Sequence, residues 1–151
     1  MIKMGDVFSI LTKKGLAYLQ YANKNSLMGT LVRILPGIFS EACDDVESLV
    51  KKETNFWIFF QISAALKLGI VEKVGNFPIP EHSKNMPVFR AGIPNSKTKK
   101  VEHWWFWDGE KEWRVGEITD QQRKMPIRRI WNDTLLIQRI EEEWLPERDK
   151  F

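Results

Sequence analysis

Apolar and β-branched residues dominate positions 5–12 and again 16–22, and the break between them is Lys13-Lys14-Gly15, where glycine supplies the positive φ of a tight turn. That pattern predicts two strands paired as a hairpin. The polar stretch 23–26 predicts a second turn, and 27–35 a third strand with a bulge at Gly29, ended by Pro36-Gly37. At 44–52 the period changes to that of a helix. Val46, Leu49 and Val50 share one face, Asp44 or Asp45 can cap the start, and Lys51 and Lys52 fill the last turn as the helix dipole prefers.

Residues 56–60 are apolar at every position, which predicts a strand buried on both faces. A helical turn at 64–68 ends at Gly69, and 70–74 is a further strand ended by Gly75-Asn76. Four prolines between 77 and 95 leave room only for an extended loop with a short strand at 88–90. Asp108-Gly109 between the apolar runs 101–107 and 112–118 is a strong hairpin signal. Thr119-Asp120 starts a turn of helix to Lys124, and Asn132 or Asp133 caps a last helix over 134–144 with Leu135, Ile137, Ile140 and Trp144 as its apolar positions. Pro146 stops it, and a charged tail follows. The fold class expected is α+β: one domain over 1–151, with about seven mainly antiparallel strands in a strongly curved sheet or open barrel, and two or three short helices.

Length and composition agree with a globular chain of 151 residues, 43% hydrophobic and 28% charged. The lone Cys43 allows no disulfide within the chain, which fits a reducing compartment. Residues 1–15 carry Lys3, Asp6, Lys13 and Lys14, so no signal peptide is expected. No apolar run reaches the ~18 residues of a membrane span. A cytoplasmic location is the expectation.

The net charge of +3 says less than its distribution. Glu41, Asp44, Asp45 and Glu47 form an acidic segment, and Lys97, Lys99 and Lys100 a basic one. The acids suit a capped, solvated helix start; the alternative is a docking surface for a basic partner.

Candidate chemistry is sparse. His82 and His103 are the two histidines, no metal-ligand spacing links them to Cys43, and no glycine-rich phosphate loop occurs. No metal or cofactor is expected, and no enzyme. The aromatic block His103-Trp104-Trp105-Phe106-Trp107 carries more information. In a strand, Trp104 and Phe106 point one way and His103, Trp105 and Trp107 the other. With 108–111 as the loop, Trp107 faces Glu112 and Phe106 faces Trp113. One face must be core. The other is packing if a helix covers it and a binding surface if it is open, with Trp105 and Trp107 as its anchors. Stacked aromatics beside Lys97, Lys99 and Lys100 also fit single-stranded nucleic acid.

Several stretches resemble the immunity protein 26 family of bacterial polymorphic-toxin systems. They are the opening Met4-Gly5-Asp6-Val7-Phe8-Ser9-Ile10, the Gly15 turn, the strand Tyr18-Leu19-Gln20-Tyr21, the apolar strand 56–60, Ser63-Ala64-Ala65 with Gly69, and Val74-Gly75 with Pro78. The likeness covers most of 4–90 and thins afterwards, and Ile70 stands where the family has a bulkier aromatic. The resemblance implies an antidote that binds a cognate toxin domain in the cytoplasm and blocks it, without catalysis. Many such toxins are nucleases with basic clefts, which would make Glu41, Asp44, Asp45 and Glu47 the toxin-facing residues. The alternative is a small barrel-like nucleic-acid binder using the tryptophan hairpin and the adjacent lysines.

Overall fold

The computed structural model describes residues 1–149 and 151; Lys150, in the charged tail, lies outside the described residues. The first three strands follow the period-two pattern: β1 (Asp6–Thr12), β2 (Gly15–Asn25) and β3 (Gly29–Ile34). The β1–β2 turn needs Gly15, whose φ is +131°; a Cβ there would lie 2.4 Å from the Phe39 carbonyl oxygen. β2 runs three residues beyond the expected stop. Asn25 explains this: its Oδ1 accepts from the amides of Leu27 and Met28 and closes the turn there. The bulge expected at Gly29 falls instead on the facing strand, between Tyr21 and Asn23.

Helix α1 (Val46–Lys51) is capped by Asp45. Strand β4 (Phe56–Phe59), helix α2 (Ile62–Lys67) and strand β5 (Val71–Asn76) follow. β5 carries through Gly75-Asn76 because it pairs with β1 along that stretch. Then come β6 (Phe89–Ala91), β7 (Trp104–Trp107), β8 (Glu112–Gly116) and α3 (Asp133–Glu141). Asn132 caps α3 by accepting from the Leu135 amide at 2.8 Å. Its deepest side chain is Leu136, fully buried, which the expected apolar set omitted.

The chain is α+β and antiparallel, as expected, but its described strands number eight and divide into two sheets. One has the order β4-β3-β2-β1-β5 and the other β6-β7-β8. Residues 126–131 tie them together. Arg90 of β6 donates to the Pro126 carbonyl and accepts from the Arg128 amide, at 2.8 and 3.0 Å. Phe59 of β4 donates to the Arg129 carbonyl and accepts from the Trp131 amide, at 3.2 and 3.0 Å. This short segment runs parallel to both neighbours and covers the outer edge of β4.

Side-chain alternation sorts the core. One face of the large sheet, with Phe8, Ile10, Leu19, Val32 and Ile34, packs under α2, α3 and Trp131. The opposite face carries two apolar clusters. Val7, Tyr18 and Leu35 meet α1, while Leu31 and Phe59 meet Phe89 and Trp107 of the small sheet. Arg33 and Gln20, both fully buried, share that face. Arg33 donates to Gln20 Oε1 at 2.6 Å, Thr54 Oγ1 at 2.7 Å, and the Lys52 and Val50 carbonyls at 2.8 and 3.1 Å. Burial pulls its guanidinium down to about 10, partly countered by Glu53, so it stays charged at neutral pH. No helix among the described residues is long and apolar enough to cross a membrane.

Candidate partner-binding surfaces

The hairpin register is as expected: Phe106 faces Trp113 and Trp107 faces Glu112. A bulge between Trp104 and Trp105 then shifts the far end, so Trp104 lies opposite Gly116. The small sheet turns Phe89 and Trp107 onto the large one. Their rings lie 5.4 Å apart and sit 5.3 and 6.0 Å from Phe59. Trp107 is therefore 6% exposed and belongs to the core. This corrects its assignment as a binding residue: the cover is a second sheet, not a helix.

Trp105 shares the face of Trp107 but stands two residues further along, past the large sheet, and is 38% exposed. It lines an open cleft of about 570 Å³ with Ala91, Ile93, Pro94, Glu102, His103, Glu112 and Arg128. Ile93 on its rim is 90% exposed. Arg128 reaches Glu112 at 2.5 Å, with its guanidinium carbon 5.3 Å from the centre of the Trp107 ring. Arg114 contacts His103 Nδ1 at 3.0 Å. The cleft thus joins apolar area with oriented polar groups.

The basic loop beside it is a compact turn. Asn95 Oδ1 accepts from the amides of Lys97 and Thr98, and Lys97, Lys99 and Lys100 point into solvent. Two carboxylates, Glu102 and Glu112, line the same cleft. They oppose a phosphate backbone there.

All four acids of the acidic segment are exposed. Two have structural partners. Asp45 accepts from the Ser48 amide and hydroxyl, at 3.1 and 2.7 Å, and these bonds hold its carboxyl below the usual range. Glu47 lies 3.8 Å from Lys51 one turn on. Glu41 and Asp44 have no ion pair among the described residues, so they carry what remains of the docking argument.

One place brings a serine, a histidine and an acid together. His82 Nδ1 lies 2.7 Å from Ser83 Oγ and 3.9 Å from Glu53 Oε2. A nucleophilic triad needs the acid and the nucleophile on opposite ring nitrogens. Here both meet Nδ1, and Nε2 lies 3.2 Å from the Lys51 carbonyl oxygen. Ser83 is also buried against Thr54 Oγ1 at 2.6 Å. The cluster fastens the segment after α1. Cys43 is half-buried, its amide donating to the Tyr18 hydroxyl at 2.8 Å.

Arg90 was missed from sequence. It is fully buried in β6, its guanidinium carbon 4.6 Å from the centre of the Trp104 ring. It donates to the Pro146 and Arg123 carbonyls at 2.7 and 3.2 Å, while Nε and Nη1 have no acceptor. The aromatic face stands in for them. Burial pulls this guanidinium down to about 10 as well. An arginine within a run that is otherwise apolar, Val88-Phe89-Arg90-Ala91, was the available signal.

Comparison with protein-family models, with curated proteins and with solved structures finds no match to this chain.

Proposed function

We propose that this chain is a non-catalytic binding protein of the immunity type, which neutralises a bacterial toxin domain in the cytoplasm by covering it. The observation that carries the reading is Trp105, exposed in a cleft beside Ile93 and the Arg128–Glu112 pair. An exposed tryptophan flanked by apolar and oriented polar groups has the make-up of an interface hot spot. Its neighbour Trp107 is locked in the core, so the anchor pays little ordering entropy on binding. Glu41 and Asp44 add an acidic region suited to steering a basic partner. The likeness to the immunity protein 26 family supplies the partner class.

The test is calorimetric titration against the C-terminal domain of a large secreted protein encoded beside this gene. One-to-one binding without turnover is expected. Trp105→Ala should weaken it about 30-fold, the size of a hot-spot loss near 2 kcal/mol. Glu41→Lys with Asp44→Lys should slow association and barely change dissociation. Full-strength binding by Trp105→Ala would remove the cleft from the interface. Failure to bind that domain, with steeply salt-dependent binding of single-stranded DNA instead, would favour the nucleic-acid reading.

A further inference from the structure

The small sheet ends at β8, whose outer edge pairs with no strand among the described residues. Three of its residues, Glu112, Trp113 and Arg114, are exposed, with Trp113 41% so. The pairing fixes which backbone groups face outward. Asp108 donates to the Lys111 carbonyl at 3.2 Å, which makes 108 and 111 a hydrogen-bonded pair. Pairs then alternate. Trp107–Glu112 is non-hydrogen-bonded, Phe106–Trp113 bonded and Trp105–Arg114 non-hydrogen-bonded. The N–H and C=O groups of Glu112 and Arg114 therefore point away from β7.

We propose that β8 pairs with β8 of a second copy of this chain, antiparallel, about a two-fold axis at Trp113. Glu112 then faces Arg114 of the second copy, and Arg114 its Glu112. Both pairs present outward backbone groups, so they form the bonded pairs of the new ladder. Trp113 meets Trp113 of the second copy as the non-hydrogen-bonded pair between them, the position of closest side-chain contact. Charged edge residues commonly guard a sheet against such pairing. Here a glutamate and an arginine placed symmetrically about a tryptophan make the edge complementary to itself instead. The bonds each already makes leave capacity. Glu112 uses Oε2 for Arg128, and Arg114 uses Nη2 for His103.

The experiment is sedimentation of the full chain over a concentration series, joined to amide exchange by NMR. The wild type should dimerise, and the amides of Glu112 and Arg114 should gain protection as concentration rises. Arg114→Glu and Glu112→Arg should each be monomeric, since each puts like charges face to face. An equal mixture of the two variants should form a heterodimer, because every cross-strand pair is then opposite in charge. Four results overturn the proposal: a wild type monomeric to about 1 mM chain, an Arg114→Glu chain that still dimerises, a mixture that stays monomeric, or dimerisation with those two amides unprotected.

Discussion

Trp107→Ala should destabilise the protein by about 4 kcal/mol, while Trp105→Ala two residues away, where more than a third of the residue is already exposed, should cost only about 1–2 kcal/mol. The difference follows from burial. A tryptophan in a core removes about 150–250 Å² from water, worth about 4–6 kcal/mol at 25 cal/mol per Å². Residual burial in the unfolded chain cuts that by roughly a fifth, and the retained alanine keeps a little more. Trp107 also closes two aromatic contacts, with Phe59 at 6.0 Å and Phe89 at 5.4 Å, each worth about 0.5–1.5 kcal/mol. The low end of that sum, less these reductions, falls within the range of about 3–5 kcal/mol measured for tryptophan truncation in cores. Urea unfolding followed by circular dichroism reads it directly. With a slope of about 2 kcal/mol per molar, the midpoint should fall by about 2 M. A Trp107→Ala midpoint within ~0.5 M of wild type would mean that the small sheet does not pack on Phe59 as described.

Two further perturbations test the buried polar groups. Asp6 is fully buried; burial raises its carboxyl, but bonds from Asn76 and the Lys3 amide, with Lys73 at 3.3 Å, outweigh that and hold it below the usual range. A carboxyl depressed in the folded state stabilises fully above its unfolded value, near 4, and loses that contribution as pH falls through the folded value. Asp6→Asn should therefore lower the urea midpoint at pH 7, and the gap to wild type should narrow as pH falls below the unfolded value near 4; an unchanged gap contradicts the assignment. Arg33→Met strands Gln20 Oε1 and the Val50 and Lys52 carbonyls, at about 1–3 kcal/mol each, offset by relief of the buried charge. A net loss of about 3 kcal/mol, or roughly 6–12 °C in Tm, is expected by calorimetry, and an unchanged Tm would refute it.

The elements easiest to read were those whose side chains alternate cleanly. β1, β3, α1 and the Asp108-Gly109 hairpin fall close to their expected places because local pattern and tertiary environment agree there. The segment 126–131 escaped because its role is a backbone one. It opens with a proline and carries Arg128 and Arg129, so nothing in its side chains announces a parallel bridge between two sheets. The division into two sheets escaped with it. Arg33 sits inside Leu31-Val32-Arg33-Ile34-Leu35, where its four acceptors come from residues as distant as Thr54. Sequence spacing cannot supply that network. Trp105 and Trp107 pose a sharper limit. Period two puts them on one face, and only the reach of the large sheet over β7 makes one core and the other surface.

That shared face bears on function. A binding tryptophan on a mobile loop would have to be ordered when its partner arrives, at an entropic cost. Trp105 is held from three sides instead. Two residues on, Trp107 is packed against Phe59 of the large sheet. At the hairpin tip, Asn25 Nδ2 donates to the Gly109 carbonyl at 3.0 Å. On the other side of the chain, Trp104 lies against Arg90, which grips the Pro146 carbonyl. Arg129 holds the same tail through Asp149 at 3.4 Å. The hairpin's Trp107 completes the cluster on Leu31 and Phe59, so the anchors that close this core also hold the exposed Trp105 in place. Such pre-organisation would serve the proposed binding role, since a surface already set in its bound shape converts more of its contact area into affinity.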